Sequence, residues 1–252
     1  MPPANAGENM LHKRDAFTLI ELLVVISIIT ILTTAALPSL VSARNLARSA
    51  YCLSNLRVQA SAVSMYQSDH DGLFPMYRRT NWPIPKYTTY FWGSDDDPVD
   101  MSLSWYMQYL QNDLQSLWCP EMPWGSYTPQ GRYVAEPTTT YGYNAFYLDK
   151  TLDGENLKKI EAIPRPDQLF VFVDAAMCWS PGGVAIFQTS SYLEPVEGNF
   201  VQQPTTHFRH RDLTNALCAD GHAESFGTEG WKIDNEHNLG FVGTKNDPHY
   251  AQ

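Results

Sequence analysis

Residues 17–37 read FTLIELLVVISIITILTTAAL, an apolar run in which Glu21 is the one formal charge before Arg44. As a helix rising about 1.5 Å per residue, such a run crosses roughly 30 Å of hydrocarbon. His12, Lys13 and Arg14 stand just before it, so the positive-inside bias puts residues 1–16 in the cytoplasm and the rest outside. A secretory signal peptide also begins with basic residues, but its apolar core is only about 7–15 residues long and closes on a small-residue cleavage site. Here the run is longer and passes straight into more helix. Residues 17–37 therefore read as a single transmembrane helix, with a plain anchor as its simplest role.

Glu21 asks for more than an anchor. A carboxylate inside an apolar helix costs about 2.5–3.5 kcal/mol on insertion scales and usually has a partner or a function. With basic residues ahead of it, Ala16-Phe17-Thr18-Leu19-Ile20-Glu21 closely resembles the processing motif of type IV prepilins and type II secretion pseudopilins. The resemblance implies that prepilin peptidase cuts between Ala16 and Phe17 and methylates the new amine. Residues 1–16 would be the leader, Glu21 the fifth mature residue and Pro38 the twenty-second. Ala16 replaces the family's usual Gly and is also small.

The resemblance further implies an inner-membrane protein with its head in the periplasm, reaching a filament or the cell surface after assembly. Its partners would be other pilin-like subunits, met through the helix, and a secretion ATPase and platform complex. In a filament core, one subunit's Glu21 could meet a neighbour's Phe17 amine. Each charge is costly alone in low dielectric, while the pair is tolerated. That pairing is the expected source of axial register.

Pro38 removes a backbone donor, and a kink is expected there. Leu53, Leu56, Ala60 and Val63 recur at spacings of three and four, marking an apolar stripe, with Arg44, Arg48 and Arg57 elsewhere on the surface. The long helix is thus expected over residues 17–68. Asp69-His70-Asp71-Gly72, followed by Phe74-Pro75, reads as a helix stop and turn. A calcium site at Asp69 and Asp71 is the alternative, but the other loop ligands and the closing Glu are missing.

Residues 69–252 change character, with all seven Trp among turn-rich stretches such as NWPIP and SPGG. Strands are expected at 168–173 (QLFVFV), 184–188 and 215–219, and a short helix at 104–112 with Trp105, Tyr109 and Leu110 as its apolar positions. Asp220-Gly221 suits a two-residue type I′ hairpin turn. The fold class is α+β, a long N-terminal helix packed on a loop-rich antiparallel β head. The 252 residues carry a net charge of −10, yet only 17 % of them are charged. That excludes nucleic acid as the main partner, which would need clustered Lys and Arg, and it excludes a disordered acidic tail. The mean hydropathy of −0.31 looks soluble only because it averages a membrane segment with a polar head.

The head carries a second resemblance. His210, nine residues, then Asp220-Gly221 is similar to a large pseudopilin-like family named for that element. Cys52-Leu53-Ser54-Asn55-Leu56, Cys119-Pro120 and Thr140-Tyr141-Gly142-Tyr143-Asn144 fit the same family.

The remaining chemistry is open. His207, His210, Cys218 and His222 could make a tetrahedral zinc set, although surface or packing histidines are the stronger reading. Cys52, Cys119, Cys178 and Cys218 would face an oxidising periplasm, where disulfides persist. Three pairings are possible. Cys52–Cys119 with Cys178–Cys218 is favoured, because Cys119 follows the region nearest the helix and the other two sit on neighbouring expected strands. No Gly-x-Ser-x-Gly elbow, His-Glu-x-x-His pair or phosphate-binding loop occurs, so neither catalysis nor a cofactor is expected. A structural filament subunit is the leading reading. A membrane-anchored head that binds glycan or peptide without polymerising is the alternative.

Overall fold

A computed structural model describes residues 17–80, 88–94, 100–122, 139–149, 154, 156–179, 186–188, 193, 205–228, 232–242 and 248–250. The leading helix α1 spans Leu19–Asp69 and runs through Pro38. It is long and apolar enough to cross a membrane. Compact contacts divide the chain between Arg44 and Asn45, so the C-terminal part of α1 belongs with the head.

Among the described residues of the first unit the large apolar side chains are exposed. Ile20 is 75 % exposed and Leu32 64 %. The polar side chains, by contrast, are satisfied within the helix. Ser27, Thr30, Thr33 and Thr34 each return a hydroxyl to the carbonyl four residues back, at 2.7 to 2.8 Å. Such back-bonding removes free donors from the helix surface, as a hydrocarbon environment requires.

Within the head, α1 buries Cys52, Asn55, Leu56, Gln59, Ala62, Val63 and Tyr66. The expected stripe is therefore displaced: Leu53 and Ala60 lie at its edge, and two polar residues occupy its centre. Asn55 donates to the carbonyls of Gln115 (3.1 Å) and Trp118 (2.7 Å), and Gln59 donates to that of Ser116 (3.1 Å). Buried amides are tolerated when paired in this way, which periodicity of apolar residues cannot reveal. The helix ends by a left-handed cap. Asp71 has φ 51°, and the Gly72 N–H returns 2.8 Å to the Gln67 carbonyl.

β1 (Arg78–Thr80), β2 (Thr88–Tyr90) and β3 (Gly93–Ser94) form one antiparallel sheet. β4 (Tyr141–Tyr143), the single-turn helix α2 (Ala145–Leu148) and β5 (Phe170–Asp174) follow. β6 (Met177–Trp179) pairs with β7 (Ile186–Gln188). Then come β8 (Thr206–His207), β9 (Leu213–Cys218), β10 (Ala223–Gly227), β11 (Lys232–Asp234) and β12 (Leu239–Gly240). The largest sheet has the order β10-β9-β5-β4, all antiparallel, and β11-β12-β8 form another. Two expected strands thus appear at β5 and β9. β7 covers the described part of the third, whose residues 184 and 185 lie outside the described set.

β5 contains a bulge. Phe170 faces Cys218 across the ladder, Phe172 faces Leu217, and Val171 is the extra residue. As a result Val171 and Phe172 both join the core that contains Leu56 and Tyr106, whereas Phe170 and Val173 join the core of Phe208 and Phe241. The pleat is re-phased by one residue, and Asp174 falls on the face toward α1. The expected helix at 104–112 is instead a 3₁₀ turn, Met107–Leu110, ended by Gln111 at φ 53°. Its fully buried residues are Tyr106, Met107 and Leu110 rather than Trp105 and Tyr109. The tighter three-residue period moves the inward positions.

The hairpin joining β9 to β10 also differs from the expectation. The Cys218 N–H reaches the His222 carbonyl at 2.9 Å and the Gly221 N–H reaches the Cys218 carbonyl at 3.0 Å. Of the loop residues only Gly221 has positive φ, at 94°. This is a three-residue loop, a turn followed by a left-handed Gly, and not type I′. Two positive φ values in succession occur instead at Arg211 (57°) and Asp212 (65°), where His210 and Leu213 exchange both backbone hydrogen bonds. A Cβ on Gly221 would meet nothing within 4 Å, so Gly221→Ala carries only the conformational cost. We expect a loss of about 1 kcal/mol, lowering the melting temperature by roughly 2–4 °C in calorimetry. Gly221→Asn should lose less, and an unchanged Ala melt would show that the loop relaxes.

Candidate functional site

At the start of α1, Thr18 and Glu21 close a capping box. Glu21 Oε2 accepts from the Thr18 N–H (2.9 Å) and the Thr18 hydroxyl (2.8 Å), while the Glu21 N–H donates to Thr18 Oγ1 (3.2 Å). The spacing Thr-x-x-Glu is legible in the sequence as a helix start, and it gives Glu21 a role within its own chain.

A polar cluster lies inside the head, assembled from four separate segments. Cys52 comes from α1 and Cys119 from the extended chain after the 3₁₀ turn Leu114–Leu117. Asp174 ends β5, and His210 stands one residue before the Arg211-Asp212 turn that leads into β9. Their ligand-capable atoms all lie within 4.8 Å of one another, and all four residues are buried. Cys52 Sγ donates to Asp174 Oδ1 at 3.3 Å, and His210 Nε2 is 3.2 Å from both Cys119 Sγ and Asp174 Oδ2. Tyr141 donates its hydroxyl to Cys52 Sγ at 3.3 Å, and the Asn215 N–H donates to Asp174 Oδ2 at 2.8 Å.

Arg209 supplies the cluster's fixed positive charge. Its Nε is 3.7 Å from Asp174 Oδ1, with the two side chains 3 % and 0 % exposed. Its Nη2 donates to the carbonyls of Thr140 (3.2 Å) and Ala175 (2.7 Å). Burial alone would raise the Asp174 carboxyl, but Arg209, His210 and the Asn215 N–H hold it below the ordinary range. Burial also opposes a charged His210, yet Asp174 and Cys119 raise it to about 9. For Cys119, burial is outweighed by Cys52, His210 and Arg209, which bring the thiol down to about 6. Cys52 moves the other way, pushed up by burial and then by Cys119 and Asp174. Within an otherwise apolar interior, this cluster is therefore a balanced set of charges.

The segment from the basic cluster through Glu21 to the end of the apolar run matches a known family over residues 11–37. It is the prokaryotic N-terminal methylation motif. The competence protein ComGC of Halalkalibacterium halodurans is similar, 36 % identical over 62 residues, or 25 % of this chain. The chain spans 61 % of the length of that relative. No solved structure matches the chain.

The methylation motif contains Ala16, Phe17 and Glu21 and ends just before Pro38. Ala16 lies outside the described residues, and the head cluster lies outside the motif. Of the four residues weighed as a zinc alternative, only His210 joins a ligand-capable group among the described residues. Cys218 packs with Phe170 and Val173, where burial pushes its thiol up to about 12. His222 sits on the hairpin loop, 2.6 Å from Asp220 and 3.5 Å from Glu224. His207 is buried on β8, opposite Leu239. Placement on two strands, a turn and a hairpin loop is what separates these four.

Of the favoured disulfide pairs, Cys52–Cys119 is not formed, and Cys178–Cys218 rests on a side chain outside the described residues. Cys52, Cys119 and Cys218 are free thiols. Cys52 and Cys119 do come together, but each is engaged by the polar cluster. Cys218 faces an apolar core, while Cys178 belongs to the separate β6–β7 pair and its side chain lies outside the described residues. Asp69 accepts the Tyr109 hydroxyl at 3.0 Å and Asp71 forms the helix cap, so both calcium candidates have structural roles. His210 and Asp220-Gly221 bracket the six residues of β9, roughly 20 Å end to end, and form two turns rather than one site. Asp174 and Arg209 were not singled out from the sequence. The signals available were a carboxylate directly after QLFVFV and an arginine beside His210.

Proposed function

We propose that the chain is a pilin-like structural subunit that acts by assembly and not by catalysis. The observation that carries this reading is the methylation motif at residues 11–37 with an apolar helix whose large side chains are exposed among the described residues. Prepilin peptidase cuts before Phe17 and methylates the new amine, and the helix first anchors the chain in the inner membrane, N-terminus inward. It then leaves lipid for a bundle of like helices. The gain is packing of apolar faces, and the Glu21–Phe17 amine pair sets the register. The head occupies the periplasm and decorates a type II secretion or type IV pilus-like filament. Its similarity to a protein named for competence supports a filament of that general kind.

Two measurements test the reading together. The mature chain should lack residues 1–16 and carry one extra methyl group by mass spectrometry. Single Cys probes at residues 24–34 should crosslink between subunits in a repeating pattern. Cleavage without any intersubunit crosslink would leave a processed but monomeric anchored head.

A further inference from the structure

We propose that Cys52, Cys119, Asp174 and His210 bind a zinc ion that staples α1 to the head. Their donor atoms lie within 4.8 Å of one another, with approaches of 3.2–3.3 Å between Cys52 and Asp174, Cys119 and His210, and His210 and Asp174. Ligands at about 2.0–2.3 Å from a tetrahedral zinc stand roughly 3.3–3.8 Å apart, so the group contracts little to share one ion. Two thiolates, an imidazole and a carboxylate form a borderline-soft set that suits zinc better than magnesium or calcium, which take oxygen ligands.

The surroundings fit this ion in two further ways. Two thiolates and a carboxylate carry three negative charges, zinc supplies two positive ones, and the buried Arg209 beside Asp174 supplies the third. Binding releases two protons to solvent, that of the Cys52 thiol and the one held between Cys119 Sγ and His210 Nε2, and so frees the Nε2 lone pair for the ion. The outer contacts also hold the ligands in place: Tyr141 donates to Cys52 Sγ and the Asn215 N–H to Asp174 Oδ2. These contacts fix the direction of Cys52 and Asp174 before the metal arrives. Four protein ligands leave no open position, so this is a structural site and not a Lewis-acid centre. Because the ligands come from residues 52, 119, 174 and 210, one ion crosslinks the helix, the extended 119 segment, β5 and the turn before β9. None of these residues belongs to the methylation motif, and the inference is independent of filament assembly.

The test uses the full chain purified in detergent without chelators. Elemental analysis should find one zinc per chain, and cobalt(II) exchanged into the site should show thiolate-to-cobalt absorption in the near ultraviolet with tetrahedral visible bands. Removal with phenanthroline should lower the melting temperature, and added zinc should restore it. Cys119→Ser should lose the metal, while Cys218→Ala and His222→Ala should keep it. Should Cys119→Ser fail to fold, the wild-type zinc content and cobalt spectrum still decide. Wild-type chain that neither contains zinc nor takes it up, a Cys52–Cys119 disulfide in the peptide map, or zinc that is lost from Cys218→Ala but kept by Cys119→Ser would overturn the proposal.

Discussion

Glu21→Ala is expected to give a chain that is still cut and methylated at Phe17 but is missing from filaments. Two effects act on this residue. Its carboxylate costs about 2.5–3.5 kcal/mol within an apolar environment, a cost that a neighbour's amine offsets only in the assembled bundle. The same carboxylate also closes the capping box with Thr18, a helix-start contact that the Ala variant loses. Two further variants separate the roles. Glu21→Gln keeps an oxygen for the Thr18 donors but removes the charge, and it should fail to assemble. Thr18→Ala removes the cap hydroxyl but keeps the charge, and it should assemble with a frayed helix start. Sheared-filament yields and immunoblots of processed chain read both outcomes. Normal assembly of Glu21→Gln with failure of Thr18→Ala would assign Glu21 to capping alone.

Arg209→Leu should be the most destabilising single change in the head. It leaves the Asp174 carboxylate buried without its guanidinium, and it strips donors from the Thr140 and Ala175 carbonyls. Removing one partner of a buried ion pair costs about 3–5 kcal/mol. For a protein of this size that corresponds to a fall of roughly 10 °C in melting temperature. Arg209→Lys keeps the charge but cannot serve Asp174 and two carbonyls from one planar group, so it should fall in between. Thermal melts of the detergent-solubilised full chain decide the order. A Leu variant that melts with the wild type would mean that the Asn215 N–H, Cys52 and His210 suffice to hold the carboxylate.

The parts of the molecule that depend on local pattern were readable before any coordinates. Residues 17–37 announce their helix because an unbroken apolar run has few alternatives, and the observed α1 begins and ends within two residues of the expected bounds. The strands at β5 and β9 were visible as short apolar runs beside turn residues. Reading failed where a local rule has two outcomes. Asp-Gly suits a type I′ turn, but a three-residue loop uses the same Gly at a single left-handed position. Asn55 and Gln59 escape an apolar stripe because hydropathy cannot see the carbonyls that receive them.

By itself, then, the sequence determined the apolar helix, the lone carboxylate near its start, the α+β class and the positions of the main strands. These follow from residue type and short spacing, which act before the chain folds on itself. Only the tertiary structure decided which polar groups share the interior. One extra residue in β5, Val171, re-phases the pleat and turns Asp174 toward α1. There it meets Cys52, Cys119, Arg209 and His210, residues with no common period along the chain. A period-2 reading cannot anticipate a bulge, and no local pattern records which distant thiols will close around a carboxylate.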